Sequence, residues 1–249
     1  MTFDSTGPQR VGIFSDIHGN LHALQSVLEK LKEEAVDAMI CCGDVVGYGA
    51  NPNECVEVLR ELNIPTLAGN HDYAALGLVD ITYFNDVARR AILWTREELK
   101  PENLDFLKEL PLTIEQEDML FVHASPNNPE TWNYIITMGQ ARTAFMHYTQ
   151  SICFIGHSHT PFIVENNDGN LSVPDTPHTQ CRNNCQYLVN VGSVGQPRDR
   201  NPDACYAIYD RAARTVEICR TGYDLPGAQR AILAANLPPD LAERLAHGV

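Results

Sequence analysis

The stretch VGIFSDIHGN, residues 11–20, decides the fold because it joins a buried strand to an amphipathic helix. Residues 11–15 form a short apolar run, which predicts a strand. Asn20 is a favourable N-cap, and apolar residues follow it at helical spacing: Leu21, Leu24, Val27, Leu28 and Leu31. Between the strand and the helix lie Asp16 and His18, two side chains that can bind metal. The stretch therefore predicts a strand–loop–helix unit with a polar connection.

The alternation of strand and helix continues through the first two thirds of the chain. Short apolar runs predict strands at residues 38–42, 65–68, 119–122 and 152–155. The apolar spacing predicts helices that begin after Asn51-Pro52, cover residues 85–99 and run from Pro101 through Leu110. This order of elements is typical of α/β proteins.

The last third changes to short strands separated by polar turns. We expect strands at residues 162–164, 187–191, 205–209 and 215–219, paired largely antiparallel, with Asp168-Gly169 as a hairpin turn. Residues 166–184 are rich in Pro, Asn and Thr, which predicts in part an exposed loop.

Composition limits the class of protein. The chain has 249 residues, 44% of them hydrophobic, and a formal net charge of −14. Such an acidic chain does not bind nucleic acid through general phosphate neutralisation, so we predict no such binding. No apolar stretch approaches the roughly 18 residues that cross a bilayer, and MTFDSTGPQR (residues 1–10) lacks the apolar region of a signal peptide. We expect a cytoplasmic protein without membrane contact.

The length suits one domain over residues 1–249, with a helical tail at about 225–249. In the tail, leucines recur at every fourth position, at 233, 237, 241 and 245, and Pro238-Pro239 should break the helix in two. The pattern leaves open whether this tail packs on the body or on a partner. It does not give the oligomeric state.

Eight cysteines are scattered along the chain, several of them inside apolar runs. This distribution favours buried thiols over a disulfide framework. Cys181 and Cys185 lie near His178, but no second pair completes a four-ligand zinc set, so no zinc site is predicted there.

Five short apolar runs each end in residues that can bind metal. These residues are Asp16 and His18, Asp44, the Asn70-His71-Asp72 triplet, His123, and the His157 and His159 pair. In a parallel sheet the carboxyl ends of the strands lie along one edge, where residues far apart in sequence converge. Each motif alone is weak, but a dense set of buried imidazoles and carboxylates needs compensation. The ordered set therefore predicts a metal site.

The order D-x-H, GD, GNH, a single His and GH-x-H resembles the signature of the calcineurin-like metallophosphoesterase superfamily. Surrounding segments, among them GDVVGYGANPNE, FVHASP and VNVGSVGQPRD, are similar to the small bacterial phosphodiesterase branch that includes asymmetric dinucleoside-tetraphosphate hydrolases. The resemblance implies a four-layer α/β/β/α sandwich of two mixed sheets with flanking helices. It also implies hydrolysis of phosphodiesters or nucleotide polyphosphates, with a small phosphorylated substrate such as a nucleotide.

Carried over by position, the resemblance implies a site for two divalent metal ions. Asp16, His18 and His159 would bind one ion, Asn70, His123 and His157 the other, and Asp44 would bridge them. A mixed oxygen and nitrogen shell favours manganese, iron or zinc over calcium. In this family pattern a hydroxide between the metals attacks phosphorus in line.

Two residues of the triplet have other expected roles. His71 would donate a proton to the leaving alkoxide, the alternative being a further metal ligand or a hydrogen-bond donor to one. Asp72 would either orient His71 or cap the following helix.

The chain departs from the protein phosphatases of this superfamily at one point. Those enzymes carry GD-x-x-DRG, whereas this chain has Gly47 and Tyr48 where their second Asp and Arg stand. The bidentate phosphate contact of that Arg is missing, which disfavours phosphoproteins. Tyr48 and Arg198 are the candidate substrate contacts. The alternatives are a serine/threonine protein phosphatase or other phosphomonoesterase, a non-catalytic metal-binding scaffold of the same fold, and a binuclear amidohydrolase with an eight-stranded barrel.

Overall fold

The computed structural model describes residues 9–249, so most of the segment 1–10, on which the signal-peptide prediction rests, lies outside it. The strands are β1 (Arg10–Phe14), β2 (Ala38–Cys41), β3 (Thr113–Gln116), β4 (Met119–Val122), β5 (Ile152–Ile155), β6 (Phe162–Asn167), β7 (Asn170–Ser172), β8 (His178–Gln180), β9 (Gln186–Asn190), β10 (Ala204–Asp210) and β11 (Thr215–Thr221). The α-helices are α1 (Leu21–Glu33), α2 (Pro52–Glu61), α3 (Asn70–Ala75), α4 (Asp86–Glu98), α5 (Pro101–Lys108), α6 (Met138–Phe145), α7 (Leu225–Ala234) and α8 (Pro239–Leu245).

The strands form two mixed sheets. The first has the order β2-β1-β10-β11-β8, in which β1 and β2 are parallel and the other neighbours antiparallel. The second has the order β3-β4-β5-β9-β6-β7, with a parallel centre of β4, β5 and β9 between antiparallel edges. In each sheet, parallel strands therefore direct their carboxyl ends toward the same edge.

Side-chain alternation along the strands divides the core into layers. Val11 and Ile13 of β1 pack with Phe121 and Phe154 of the second sheet, whereas Phe14 faces the apolar side of α1 and α2. The outer face of the second sheet, including Cys153, packs on α6. The layers are thus helices, first sheet, second sheet and helix. The predicted α/β/β/α sandwich is confirmed, and this architecture is not the barrel that an amidohydrolase requires.

Local signals account for the helix boundaries. The Asn20 side chain accepts a hydrogen bond from the Ala23 N–H at 3.1 Å, as an N-cap does. The tail is helical and interrupted at Pro238, as the two prolines predict. Its apolar residues, among them Leu241 and Leu245, pack with Ala88 and Ala91 of α4, so the tail lies against the body of the chain.

Two predictions about strands need correction. Residues 65–68 form only a single bridge between Thr66 and Cys41, because the next N–H on that side, that of Gly69, donates to the Asp72 carboxylate at 2.9 Å instead of continuing the ladder. The strand predicted at 187–191 pairs parallel with β5 on one side, although β6 on its other side is antiparallel.

The polar segment 166–184 is partly ordered in the sheets. Asp168 and Gly169, both at positive φ, make the predicted hairpin turn between β6 and β7, and β8 adds to the edge of the first sheet. Over residues 9–249, no helix is long and apolar enough to cross a membrane.

Candidate metal centre

The seven predicted metal ligands converge, six of them in loops that follow strands. Asp16 and His18 follow β1, Asp44 follows β2, His123 follows β4 and the pair His157 and His159 follows β5, while Asn70 is the first residue of α3. Six of the seven side chains are buried and Asn70 is half-buried. The position that the sequence predicts, at the carboxyl ends of strands from both sheets, is the observed one.

The first group of donor atoms belongs to Asp16, His18 and His159. The Nε2 atoms of the two imidazoles lie 3.0 Å apart, and Asp16 Oδ1 lies 3.3 Å from His159 Nε2 and 3.8 Å from His18 Nε2. These three atoms can meet one cation.

The second group belongs to Asp44, Asn70, His123 and His157. Asp44 Oδ2 lies 3.3 Å from His123 Nε2, which is also 3.3 Å from Asn70 Oδ1. The same carboxylate oxygen is 3.7 Å from His18 Nε2 in the first group. Asp44 therefore lies between the two groups, where one carboxylate can serve two cations.

Hydrogen bonds to the main chain orient the imidazoles. Nδ1 of His18, His123 and His159 lies 3.1, 2.8 and 2.6 Å from the carbonyl oxygens of Val46, Cys42 and Gln196, respectively. An Nδ1–H that donates to a carbonyl leaves Nε2 to bind metal, the usual arrangement of metal-ligating histidines.

The donor set fits divalent cations. With both Nδ1–H groups donated to carbonyls, the facing Nε2 atoms of neutral His18 and His159 carry lone pairs and no proton to share. Asp16 Oδ1 and His157 Nε2 are buried and have no hydrogen-bond partner within residues 9–249. Buried polar atoms without partners are costly, and a cation would satisfy them.

The pKa shifts of Asp44 and His123 also show that opposite charges stabilise each other in the centre. Burial would raise the pKa of Asp44, but the imidazoles around it, His123 first, hold it well below its usual range. Burial lowers the pKa of His123, yet the Asp44 carboxylate outweighs it and raises that pKa to about 9. The His123 imidazole and the Asp44 carboxylate thus favour each other's charged forms. A metal held by this imidazole would take the place of its proton.

The loops that carry the ligands adopt unusual backbone conformations. Five of the predicted ligands have left-handed φ values between 49° and 66°: Asp16, His18, Asp44, His157 and His159. Non-glycine residues in this region cost about 1–3 kcal/mol each and cluster at functional sites. Gly69 and Gly156 permit the close packing here, since a Cβ would collide with the carboxylates of Asp44 and Asp16, respectively.

His71 and Asp72 have different surroundings. The His71 backbone N–H donates to Asp44 Oδ1 at 2.8 Å, and its buried Nδ1 has no partner among the described residues. The Asp72 carboxylate accepts from the backbone N–H groups of Gly69 and Val46 at 2.9 and 3.1 Å. These are the contacts of a helix cap, which also attaches the start of α3 to the Asp44 loop.

A pocket of about 390 Å³ opens beside the metal centre. Asn70, His71 and His157 contribute to its wall, together with both predicted substrate contacts, Tyr48 and Arg198. Arg198 is half-buried, and its Nη2 lies 3.3 Å from the Tyr48 hydroxyl.

Further lining residues were not identified as site residues from the sequence, among them Phe84, Trp132, Tyr134 and Arg244. The Tyr134 ring stacks on His157 with centroids 3.9 Å apart. The aromatic run TWNY shortly after His123 is a signal that could have indicated Trp132 and Tyr134. Arg244 had no such signal.

The cysteines near residue 180 lie outside the groups of potential ligands. Cys181 and Cys185 are buried free thiols, and every group of three potential ligands found within residues 9–249 belongs to the centre described above.

Two mixed sheets that carry a cluster of histidines and carboxylates at their edge define the metallophosphoesterase class of protein. Residues 10–214 match the model of the calcineurin-like phosphoesterase superfamily domain. The chain is 42% identical over 245 residues to an uncharacterized protein of Methanocaldococcus jannaschii, covering 94% of this chain and 96% of that one. The chain therefore belongs to the calcineurin-like phosphoesterase superfamily.

Solved structures agree with this assignment. A metallophosphoesterase from Sphaerobacter thermophilus is 38% identical, with a TM-score of 0.85 over 97% of this chain and 99% of that one. A hypothetical protein from Pyrococcus horikoshii OT3 is 21% identical, with a TM-score of 0.79 over 96% and 98% of the two chains, and shows the same fold.

Proposed function

We propose that the protein is a dinuclear metal-dependent phosphoesterase that hydrolyses phosphodiesters or nucleotide polyphosphates. The observation that carries the proposal is the position of the Asp44 carboxylate between two groups of inward-facing donor atoms. One cation would be held by Asp16, His18 and His159, the other by Asn70, His123 and His157, and both by Asp44. The mixed shell favours manganese, iron or zinc. When bound, two such cations lower the pKa of water and neutralise phosphoryl charge.

The remaining residues of the site have roles that follow from their contacts. His71 is positioned by its backbone hydrogen bond to Asp44, and its ring lines the pocket, where it can protonate a leaving alkoxide. The same ring lies close enough to His18 and Asp44 to act as a metal ligand, the alternative role. Asp72 holds α3 in place rather than moving a proton.

Substrate choice follows from the cations available at the pocket. Tyr48 offers a hydroxyl where the protein phosphatases place an Arg, and Arg198 reaches that hydroxyl from another loop. With Tyr48 at that position, the bidentate contact that an Arg makes to a doubly charged phosphomonoester is missing there. A phosphodiester carries one negative charge fewer at phosphorus. A nucleotide polyphosphate adds oxygens that provide further binding energy.

A panel of substrates tests the proposal. After metal removal and reconstitution with Mn²⁺, we expect kcat/KM for bis(p-nitrophenyl) phosphate or a dinucleoside polyphosphate to exceed that for p-nitrophenyl phosphate or a phosphopeptide. A preference for the phosphopeptide would replace the proposal with the protein-phosphatase alternative. Bound metal without turnover of any substrate would favour the non-catalytic scaffold.

A further inference from the structure

Two guanidinium groups face the pocket beside the metal centre. Arg198 lies in the loop after β9, and Arg244 lies in the last turn of α8, so the body and the tail each contribute one. Neither has a side-chain carboxylate within ion-pair distance in the part of the chain that the structure describes.

The Arg198 side chain is held in place but not neutralised. Its Nη2 lies 2.9 Å from Gln196 Oε1 and 3.3 Å from the Tyr48 hydroxyl, and its Cζ lies 5.7 Å from the centroid of the Tyr48 ring. Its Nε is buried without a hydrogen-bond partner among residues 9–249. The guanidinium therefore keeps donor capacity for an anion in the pocket.

Arg244 is held by the packing of the tail. Leu241 and Leu245 of the same helix are buried against α4 and α7, and Arg244 Nε donates to an oxygen of Val249, the last residue of the given sequence, at 2.5 Å, which leaves its two Nη groups for the pocket. Burial, and then the charge of Arg198, lower the pKa of Arg244 below its usual value. Two guanidinium groups that repel each other in a partly buried pocket are stabilised when an anion binds both.

We propose that Arg198 and Arg244 form a subsite for a second phosphoryl group, the one joined to the reacting phosphorus through an anhydride oxygen. The subsite rests on the proposed function, which places the reacting phosphorus at the metal centre. A fork of guanidinium donors matches phosphate oxygens bidentately, and the pocket is large enough to extend beyond one phosphoryl group. The subsite selects substrates with a diphosphate or longer chain over simple diesters.

Binding of two anions tests the subsite without turnover. Calorimetry on the Mn²⁺-loaded protein compares imidodiphosphate, which has two phosphoryl groups, with methylphosphonate, which has one. We expect Arg244→Gln to weaken imidodiphosphate binding about tenfold more than methylphosphonate binding, as the loss of one charge-assisted contact implies. Arg198→Gln should change the ratio of the two affinities, imidodiphosphate over methylphosphonate, in the same direction. Arg244→Lys should restore much of the imidodiphosphate affinity that Arg244→Gln loses. Chelation of free Mn²⁺ is the same for every variant and cancels in the comparison.

Arg230→Gln is the matched control, because Arg230 lies on α7 in the same tail with 72% of its side chain exposed and does not line the pocket. It should leave the ratio unchanged. The subsite would be overturned if Arg244→Gln and Arg198→Gln weakened the binding of both anions equally, or weakened the binding of neither anion. If Arg244→Gln fails to fold, Arg198→Gln and Arg244→Lys decide the question.

The two proposals fail in different ways. If no phosphoester is hydrolysed, the proposed function is wrong, and the anion ratio still decides whether the subsite exists. If the protein hydrolyses diesters while Arg198→Gln and Arg244→Gln leave the anion ratio at its wild-type value, only the subsite is wrong.

Discussion

At the residue scale, the chemistry of the centre depends on which atom each side chain presents. The residues that converge at the centre could be predicted because aspartate and histidine recur at the ends of apolar runs; that they bind metal stays a prediction. The orientation of each imidazole could not, since it is set by backbone carbonyls such as that of Gln196, 37 residues beyond its partner His159. Arg244 was missed for the same reason, because the face that a helix presents depends on packing.

We predict that Asp44→Asn weakens the binding of both metals at least about tenfold, because it removes charge from the side chain placed between the two groups of donor atoms. Metal analysis of the purified variant after dialysis measures the effect. Asp105→Asn is a matched control, since Asp105 is 73% exposed and pairs only with Lys108 among the described cations. Full occupancy by two metals in Asp44→Asn would contradict the bridging role.

We expect His71→Ala to keep its metals and to lose roughly 10²- to 10⁴-fold in kcat, the range of general acid catalysis. The loss should be smaller for nitrophenolate than for alkoxide leaving groups, because nitrophenolate needs little protonation. Steady-state kinetics with both leaving groups measures this difference. An equal loss would remove His71 from the acid role, and a loss of metal would make it a ligand.

Gly47 shows that the departure from the phosphatase pattern is built into the backbone. Its φ is +95°, and a Cβ there would lie 2.6 Å from His71 Nδ1. An aspartate at this position, as the protein phosphatases have, would strain the loop and displace His71. Exchange of Tyr48 alone is therefore the cleaner way to restore a phosphatase-like arginine.

At the element scale, long amphipathic helices and buried strands could be predicted, and short elements could not. The α1 stripe and β5 are clear in the sequence, whereas β3, with the sequence TIEQ, and β8, with HTQ, lack apolar runs and are edge strands stabilised by their neighbours. Helix α3 has six residues, too few for a helical period to be detected.

Glu165 joins β6 to β9 and to the segment between β8 and β9. It accepts hydrogen bonds from Arg182 Nε at 3.1 Å and from the Tyr187 hydroxyl at 2.5 Å. These contacts, that of Arg182 first, lower the pKa of Glu165 from 4.5. Because the folded-state pKa is lowered, the stabilisation is complete above about pH 4.5 and is lost as the pH falls through the folded-state value.

We therefore expect Glu165→Gln to reduce the free energy of unfolding by about 1–2 kcal/mol at pH 7, a modest value because the Arg182 side chain is largely exposed. The difference from wild type should shrink at pH 3. Urea denaturation at both pH values measures it, with Glu243→Gln, an exposed site, as the control. The same difference at pH 7 and pH 3 would contradict the ionic role of Glu165.

At the scale of the whole molecule, the tail contributes Arg244 to the wall of the pocket beside the metal centre. The leucine spacing of the tail predicted a helix but did not show whether the helix packs on the body or on a partner. The structure packs the tail on α4 next to Tyr48. The two-sheet sandwich followed from the family resemblance rather than from periodicity, because no local pattern specifies which strands share a sheet. A single domain over the full chain and a cytoplasmic location stay predictions.

The central claim is that phosphoester hydrolysis depends on two divalent cations at the Asp44 centre. The most direct measurement is hydrolysis of bis(p-nitrophenyl) phosphate by metal-stripped protein titrated with Mn²⁺, with bound metal counted in the same samples. We predict no activity after stripping, and activity that rises to its maximum as the second equivalent binds. Full activity in the stripped protein, or no activity with two equivalents bound, would contradict the account.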